Sequence, residues 1–177
     1  MDRRQQKTRK AIFMAFRSLL SKKRYDHITV QDIIDAADVG RSTFYAHFET
    51  KDMLLDAMCQ DMFYHIFDKA PCPLAKGSSD IEAELAHLLR HIKNGENDLA
   101  KIIRSDSNDL FMFYFKKHLR GVFESHADAF RIDIPKEFLL NLLVGSFSEM
   151  IRWWVQNGMK TAPDTCAEYF MKIIEKH

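Results

Sequence analysis

Apolar residues recur at helical spacing along most of the chain, which predicts a helix-rich and strand-poor protein. The low counts of 6 Gly and 4 Pro agree with this, because these residues break helices. The expected fold class is all-α, with about nine helices. The predicted segments are Gln5–Lys23, one from Val30, one from Arg41, Lys51 to about Lys69, Ser79–Asn94, Asn97–Arg104, Asp109–His126, Pro135–Asn157 and Pro163–Lys176.

The two short helices that follow the first helix are predicted to form a helix-turn-helix. Thr29 and Asp32 match a capping box, so a helix begins near Val30. Asp38 and Gly40 supply turn chemistry, and a second helix starts at Arg41. In a helix-turn-helix the second helix lies in the DNA major groove. This segment therefore predicts a DNA-reading head at the amino end of the chain.

The second short helix has one apolar face and one polar face. Phe44 and Phe48 are four residues apart and are expected to pack inward, which leaves the other side for DNA. Arg41 is the expected base reader, because a guanidinium can bridge both acceptors of a guanine. The candidate DNA-binding residues are Thr29, Arg41, Ser42, Thr43, Tyr45, His47 and Lys51.

The charge of the chain is unevenly distributed. The net charge is only +1, but residues 1–51 hold 11 Lys and Arg against 6 Asp and Glu, leaving 15 against 19 for the rest. A basic head on an acidic body directs phosphate contacts to one end. Five cations crowd the amino end and either follow a phosphate strand or belong to a frayed, solvated terminus: Arg3, Arg4, Lys7, Arg9 and Lys10.

The helix-turn-helix segment resembles the DNA-binding half of the tetracycline-repressor-like (TetR) family of regulators. The residues that carry the resemblance are Thr29, Ile33, Ala36, Ala37, Val39, Arg41, Ser42, Thr43, Phe44, Tyr45, Phe48, Lys51, Leu54 and Leu55. The chain departs from the family pattern at Asp38, where the family usually has Gly, and at Gly40, where it usually has Ser or Thr. The resemblance implies an effector-responsive regulator that dimerises through its last two helices.

Pro71, Pro73 and Gly77 mark the clearest break in the chain, after the head and the helix that connects it to the rest. The expected organisation is a helix-turn-helix DNA-binding domain over residues 1–50. A helical body over residues 51–177 would then serve regulation, dimerisation and ligand binding. This division predicts that the DNA partner and any effector bind to different parts of the chain.

The segment Pro135–Asn157 is apolar on nearly every face, so it must be covered from more than one direction. A second copy of the chain would cover one side, with Gly145, Ser146 and Ser148 allowing close approach. The last helix is expected to complete a four-helix interface through Ala167, Phe170, Met171, Ile173 and Ile174. The alternative is a monomer with one buried central helix. A twofold dimer predicts a palindromic operator.

A dense aromatic cluster at Leu110–Phe115, with apolar residues of the fourth helix, suits a small apolar or aromatic effector held between helices. The alternative is ordinary core packing, because periodicity does not distinguish a filled core from an open one. The candidate ligand-binding residues are Phe63, Phe67, Phe111, Phe115, Phe147, Met150 and Trp154.

No enzyme, cofactor or metal site is expected. His87 and His91 have the i, i+4 spacing of two metal ligands, but they stand opposite an apolar stripe and no third ligand is near in sequence, so we expect a solvated pair. The three cysteines form no C-x-x-C pair. The most apolar stretch is interrupted by polar residues, so no membrane span is expected, and the cytoplasm is the expected compartment.

Three functions are compatible with these features. The leading hypothesis is a homodimeric repressor that binds double-stranded DNA at a palindromic operator and responds to a small hydrophobic effector. The first alternative is a DNA-binding regulator without a pocket that recruits or answers to another protein. The second alternative is a helical oligomerisation module with no DNA role.

Overall fold

A computed structural model describes residues 3–67, 80–95, 99–104, 109–130 and 133–175. All regular structure in these ranges is helical, so the all-α prediction is confirmed. Two short 3-10 turns, Tyr25–His27 and Ala127–Ala129, were not anticipated. The α-helices are α1 Arg3–Leu20, α2 Val30–Ala37, α3 Arg41–His47, α4 Lys51–Phe67, α5 Ile81–Asn94, α6 Leu99–Arg104, α7 Asp109–Ser125, α8 Lys136–Gln156 and α9 Pro163–Glu175.

The helix-turn-helix forms from local hydrogen bonds. Thr29 caps α2 by a complete capping box, in which its hydroxyl accepts from the backbone N–H of Asp32 at 3.0 Å. Asp38 ends the helix in the left-handed conformation, at φ 50°. Gly40 has an ordinary φ of −72° and lends no side-chain hydrogen bond to α3. The chain reversal therefore depends on Asp38, and the freedom of glycine is not used at position 40.

The first helix covers α2, as its apolar stripe predicts, and reaches the C-cap of α3 through the Phe13 and Phe48 rings, whose centroids are 5.7 Å apart. α1 packs against α2, and Ile12 and Phe16 are fully buried there together with Ile33 of α2. The buried residues of the described chain form one continuous cluster from the head to the last helix. Because the head and the body share this cluster, a shift in the body has a packed route to the head.

The body consists of helix pairs that pack on each other. α4 lies against α7, α7 against α8, and α6 against α8, while α5 lies against α9. Two glycines end helices in the left-handed region, Gly95 after α5 and Gly158 after α8, as their positions predicted. No helix in the described ranges combines the length and apolarity needed to cross a membrane.

The start of α5 differs from the prediction. The cap is Asp80, whose carboxylate accepts from the backbone N–H of Ala83 at 2.8 Å, and the helix begins at Ile81. Ser79, which begins the predicted segment and with Glu82 matches a capping box, lies outside the described residues. The break at residues 71–77 and the predicted helix ends at 68–69, 97–98 and 176 also lie outside them. Both residue types cap helices well, so the pattern alone did not separate them.

The expectation of a solvated histidine pair was wrong. His91 is fully buried and His87 is 7% exposed. Their Nε2 atoms lie 3.0 Å apart, so one ring donates a hydrogen bond and the other accepts it. The reason is that α5 packs against α4, α6 and α9, so more of its surface than the leucine stripe is buried. Periodicity within α5 did not reveal how many helices surround it. The described residues contain no group of three or more side chains placed to hold a metal ion.

The expectation for α9 was partly wrong. Ala167, Phe170 and Met171 are buried within the chain, and the ring of Phe170 packs on Phe147 with centroids 4.9 Å apart. Only Ile173 among the expected interface residues is strongly exposed, at 72%, and Ile174 is half-buried. Ser148 of α8, expected to allow close helix approach, is also fully buried. Most of the apolar face of α9 therefore packs within its own chain.

Candidate nucleic-acid interface

The polar face of α3 is exposed and its apolar face is buried, as predicted. Phe44 is 0% exposed and Phe48 is 3% exposed. The exposed face, named here the α3 surface, consists of Arg41, Ser42, Thr43, Tyr45 and Ala46. Burial of the two phenylalanines orients the helix, so every residue of the α3 surface points away from the core.

Arg41 and Tyr45 are one helical turn apart and contact each other. The Arg41 guanidinium lies over the Tyr45 ring, 5.8 Å from its centroid. Tyr45 packs edge-on against Phe44, with centroids 5.4 Å apart and ring planes at 90°. Phe44 therefore restricts the Tyr45 ring from the core side, and the Arg41 guanidinium packs on that ring. Such support lowers the side-chain entropy that a base or phosphate contact would cost.

Arg9 of α1 is a cation of the same head that sequence reasoning placed only in a basic cluster. Its guanidinium lies 4.9 Å from the Phe13 centroid and 5.3 Å from the Phe48 centroid. The i, i+4 spacing of Arg9 and Phe13 is the signal that would have indicated the first contact. The other four cations of the cluster, Arg3, Arg4, Lys7 and Lys10, are exposed on α1. They lie on a helix, not on an irregular terminus.

Lys51 has a different position from the one expected for a phosphate contact. Its ammonium donates to the backbone carbonyls of Tyr25 and Ile28, at 2.8 and 2.7 Å. It also lies 3.9 Å from the centroid of the Tyr25 ring. Burial lowers the pKa of Lys51, while the carboxylates of Asp26 and Asp52 act in the opposite direction. Two of its three N–H donors are therefore occupied inside the protein.

Tyr25 makes a second connection between the head and α4, in addition to the one made by Lys51. Its hydroxyl donates to the carboxylate of Asp52. Burial, with the neighbouring Asp52 carboxylate, raises the pKa of Tyr25 far above its ordinary value. Adjacent residues at the start of α4, Lys51 and Asp52, thus hold the same turn of the head. This connection was not visible in the sequence, because the partners are 26 and 27 residues apart.

Two further candidates are engaged within the head. The Thr29 hydroxyl accepts from the Asp32 backbone and donates to the Asp32 carboxylate at 2.9 Å. His47 is half-buried, with its ring 6.2 Å from that of Phe48. The structure therefore groups Arg41, Ser42, Thr43 and Tyr45 on one exposed face. It assigns Thr29 and Lys51 to holding the head together.

A groove of about 360 Å³ lies where α4, α5 and α7 meet. We call it the α4–α7 groove. Phe63 and Phe67 stack along one side with centroids 5.6 Å apart. Glu84 on α5 lies 3.6 Å from His126, and burial raises the pKa of that carboxyl although the histidine acts in the opposite direction. The lining residues are Gln60, Phe63, Tyr64, Phe67, Glu84, His118, Gly121, Val122 and Ser125.

The groove contains only two of the seven predicted ligand-binding residues, Phe63 and Phe67. Met150 is half-buried against the core. The remaining four are at most 1% exposed and pack as core: Phe111, Phe115, Phe147 and Trp154. The physical reason is that these aromatic side chains pack on core residues of neighbouring helices, as Phe115 does on Phe63 of α4 and Phe147 on Phe170 of α9. Sequence reasoning missed His118, Glu84 and Gln60, whose polar side chains give the groove its hydrogen-bonding capacity.

Comparisons with known proteins agree with this geometry. Residues 12–58 match the family described as "Bacterial regulatory proteins, tetR family", and residues 79–176 match the family described as "Transcriptional regulator C-terminal region". The chain is similar to the crystal structure of a TetR transcriptional regulator from Streptococcus agalactiae 2603V. The two are 36% identical with a TM-score of 0.76, over 98% of this chain and 97% of that one.

Two curated relatives are also similar. The HTH-type transcriptional regulator YxbF of Bacillus subtilis is 36% identical over 99% of this chain, but the chain spans only 46% of that protein's length. DhaS of Lactococcus lactis, an HTH-type transcriptional activator of the dhaKLM operon, is 29% identical over 75% of this chain and 71% of its own. All three similar proteins are transcriptional regulators by name.

Proposed function

This chain belongs to the TetR family of DNA-binding transcriptional regulators, and we propose that it acts as a homodimeric repressor that a small apolar or aromatic effector releases from a palindromic operator. The family establishes a DNA-binding regulator. The dimer, the repression and the effector are the parts that we propose. In this proposal residues 1–50 are the DNA-binding domain and residues 51–177 the regulatory and dimerisation domain. A DNA partner would place the protein in the cytoplasm.

The observation that carries the proposal is the α3 surface. Its polar residues are exposed on a helix whose other side is anchored by Phe44 and Phe48. We assign Arg41 to a base edge, since a guanidinium matches the two acceptors of guanine. We assign Ser42, Thr43 and Tyr45 to phosphates or thymine methyl groups. His47 would contribute at the rim of the contact, and Lys51 has one N–H left for a phosphate.

The dimer rests on an apolar face that the chain leaves exposed. On α8, Phe138, Leu142 and Trp153 are 63%, 52% and 58% exposed, and their spacing places them on one side of the helix. On α9, Tyr169 and Ile173 are 56% and 72% exposed. Large apolar side chains in such numbers are typical of an interface. A second copy would bury them with twofold symmetry and set two α3 surfaces against one DNA face.

The effector proposal rests on the α4–α7 groove. Its volume lies at the lower end of the range for small-molecule sites, and the stacked Phe63 and Phe67 rings suit an apolar or aromatic compound. The groove borders α4, whose first residues hold the turn at Tyr25. A ligand that binds better when α4 is displaced would favour a conformer with a different α3 spacing. Coupling of this kind typically changes operator affinity between about 5-fold and 150-fold.

Selection of bound sequences from random DNA tests the DNA and dimer parts together. We expect an inverted repeat whose half-sites are one helical turn apart, about 10 base pairs, or a multiple of that. Affinity should fall steeply with salt, because phosphate contacts release counterions. Arg41→Ala should cost about 1–3 kcal/mol and relax specificity at one position of each half-site. Lys136→Ala, an exposed cation at the start of α8, is the matched control.

Two outcomes would contradict the proposal. A selected motif without inverted repeats would exclude the twofold arrangement. Equal affinities for the selected and a scrambled sequence would remove the operator altogether. Transcription in vitro from a promoter carrying the selected sequence decides the direction of regulation. This matters because DhaS, a similar protein, is named as an activator. An increase in transcript on adding this protein would replace repression by activation.

A further inference from the structure

A second cavity of about 360 Å³ lies between the end of α5, helix α6 and the turn after α8. Three cationic side chains line it: Lys93, Lys101 and Arg104. We call it the α5–α6 basic cavity. Among the described residues, none lines both this cavity and the α4–α7 groove. The segments 96–98 and 105–108 lie outside the described residues.

The floor of the cavity is apolar. Ile92 is fully buried, and Ala100 and Met159 are half-buried against the core. Met159 is held in the left-handed region at φ 53°, which is uncommon for a residue with a side chain. Its N–H donates to the Trp154 carbonyl at 2.9 Å, and this bond fixes the turn. The floor is therefore a built surface and belongs to the packed core.

Arg104 is oriented by the end of α8. One of its guanidinium N–H groups donates to the Val155 carbonyl at 3.1 Å. A guanidinium has five N–H donors in a planar fork, so others can bind a carboxylate or phosphate. Lys93 makes no hydrogen bond or ion pair to any residue that the structure describes. The cavity thus combines the oriented guanidinium of Arg104 with the exposed ammonium groups of Lys93 and Lys101.

The charge of this cavity runs against that of the surrounding body. Residues 52–177 hold 15 Lys and Arg against 19 Asp and Glu. Cations in the last turns of α5 and α6 complement the helix dipoles. Dipole complementation accounts for their positions along each helix, but does not require three of them to converge on one apolar-floored cavity. An anion held there would gain from all three charges while its apolar part covers the floor.

We propose that the α5–α6 basic cavity binds a small organic anion, a carboxylate or phosphate monoester that carries a compact apolar group. Lys93, Lys101 and Arg104 receive the anionic group, and Ile92, Ala100 and Met159 receive the apolar group. The site is separate from the α4–α7 groove and from the α3 surface. Its existence does not depend on the repressor proposal.

Calorimetric titration with benzoate and phenyl phosphate tests the proposal. Benzamide and inorganic phosphate serve as probes that lack the charge or the apolar group. The fluorescence of Trp153 and Trp154, the two tryptophans of the sequence, gives a second readout because they adjoin the turn that forms the floor. We expect saturable binding of at least one anion with a Kd below about 1 mM. The tighter of the two anions distinguishes carboxylate from phosphate, and benzamide and inorganic phosphate should bind at least about tenfold more weakly.

The variant K93E/K101E reverses two exposed charges and should weaken binding at least about tenfold. Lys136→Glu is the control for net charge and should leave anion binding unchanged. Arg104→Gln should weaken binding too, and melting of each variant without ligand checks the fold. The K93E/K101E variant should still bind the operator. Loss of anion binding can therefore be told apart from loss of the DNA-binding function.

Three results would overturn the proposal. The first is the absence of saturable binding to the unmodified protein, which would leave the cations with a helix-dipole role only. The second is unchanged affinity in K93E/K101E. The third is loss of binding in Phe67→Ala, which would place the ligand in the α4–α7 groove.

Discussion

His118 of α7 contacts Asp56 of α4 through a hydrogen bond of 2.8 Å between Nε2 and Oδ1. The other oxygen of the same carboxylate accepts from Lys117 at 2.7 Å. His118 also lines the α4–α7 groove, with its ring 5.9 Å from that of Phe63. One side chain therefore touches both the groove and the helix that holds the head. A ligand that competes for His118 would act directly on the position of α4.

Asp56→Asn should destabilise the protein by about 1 kcal/mol near neutral pH, because a partly exposed pair contributes modestly. Burial opposes ionisation of Asp56, but the hydrogen bonds from Lys117 and His118 lower its pKa below the ordinary 3.8. A lowered folded-state pKa stabilises the fold above about pH 4 and the contribution is lost as pH falls below that. Urea unfolding should therefore show a difference between the two proteins near pH 7 that shrinks near pH 3.

The control for this experiment is Glu137→Gln. Glu137 of α8 forms a more exposed ion pair with Arg120 of α7. The substitution should change stability little at any pH. An Asp56→Asn protein as stable as the unmodified one at neutral pH would show that the His118 contact does not hold α4 against α7.

Lys51→Met should destabilise the fold by about 2 kcal/mol, because it removes two charge-assisted hydrogen bonds to the carbonyls of Tyr25 and Ile28. Chemical denaturation measures this. Arg41→Met is the matched control, since Arg41 is exposed and should lose operator affinity with nearly unchanged stability. If Lys51→Met kept full stability and lost only operator affinity, the phosphate role expected from sequence would be its main one.

Trp153→Glu and Ile173→Glu should each separate the dimer into monomers, because a charge would be buried in the apolar face of α8 and α9. We expect a loss of at least about 2 kcal/mol, or roughly 30-fold in the dimer dissociation constant. Light scattering after size exclusion measures the mass. Phe113→Glu, on α7 and 61% exposed, is the control and should leave the mass unchanged. The opposite pattern would place the interface on α7.

Phe115→Ala and Phe67→Ala should differ strongly in their effect on stability. Phe115 is 0% exposed and packs between Phe63 and Phe111, at centroid distances of 5.1 and 5.9 Å. Its truncation leaves a cavity and should cost about 3–5 kcal/mol. Phe67 is only half-buried at the groove, so its truncation should lower the free energy of unfolding by about 1 kcal/mol. Thermal unfolding of both variants measures this, and equal losses would contradict the distinction between core and groove.

The head was predicted well because its decisive features are local. The Thr29 cap and the left-handed Asp38 depend on residues within a few positions, and the Phe44 and Phe48 pair follows from helical spacing. The glycine that the sequence offered for the turn, Gly40, proved conformationally ordinary. Several residue types suit a turn, and only the backbone shows which one adopts the left-handed region.

The candidate pocket was predicted poorly because it depends on packing. Phe111, Phe147 and Trp154 have the composition of a ligand site but fill the core. His118 has no sequence signal that links it to Asp56, which is 62 residues away. His87 and His91 were expected on a solvent-exposed face, yet both are buried in a helix that packs against α4, α6 and α9. The periodicity of a sequence identifies one apolar face of a helix. It does not show how many other helices will pack against the remaining faces.

The sequence by itself determined the helices, the Thr29 cap, the exposed face of α3 and the segregation of charge, since these follow from short-range hydrogen bonds, side-chain periodicity and composition. The tertiary structure decided which aromatic residues fill the core, which histidines are buried and which lysine binds carbonyls of the head. It also decided that cations from α5 and α6 meet over one apolar floor. These depend on contacts between residues far apart in the chain, where close packing selects one arrangement among many that the same local pattern allows.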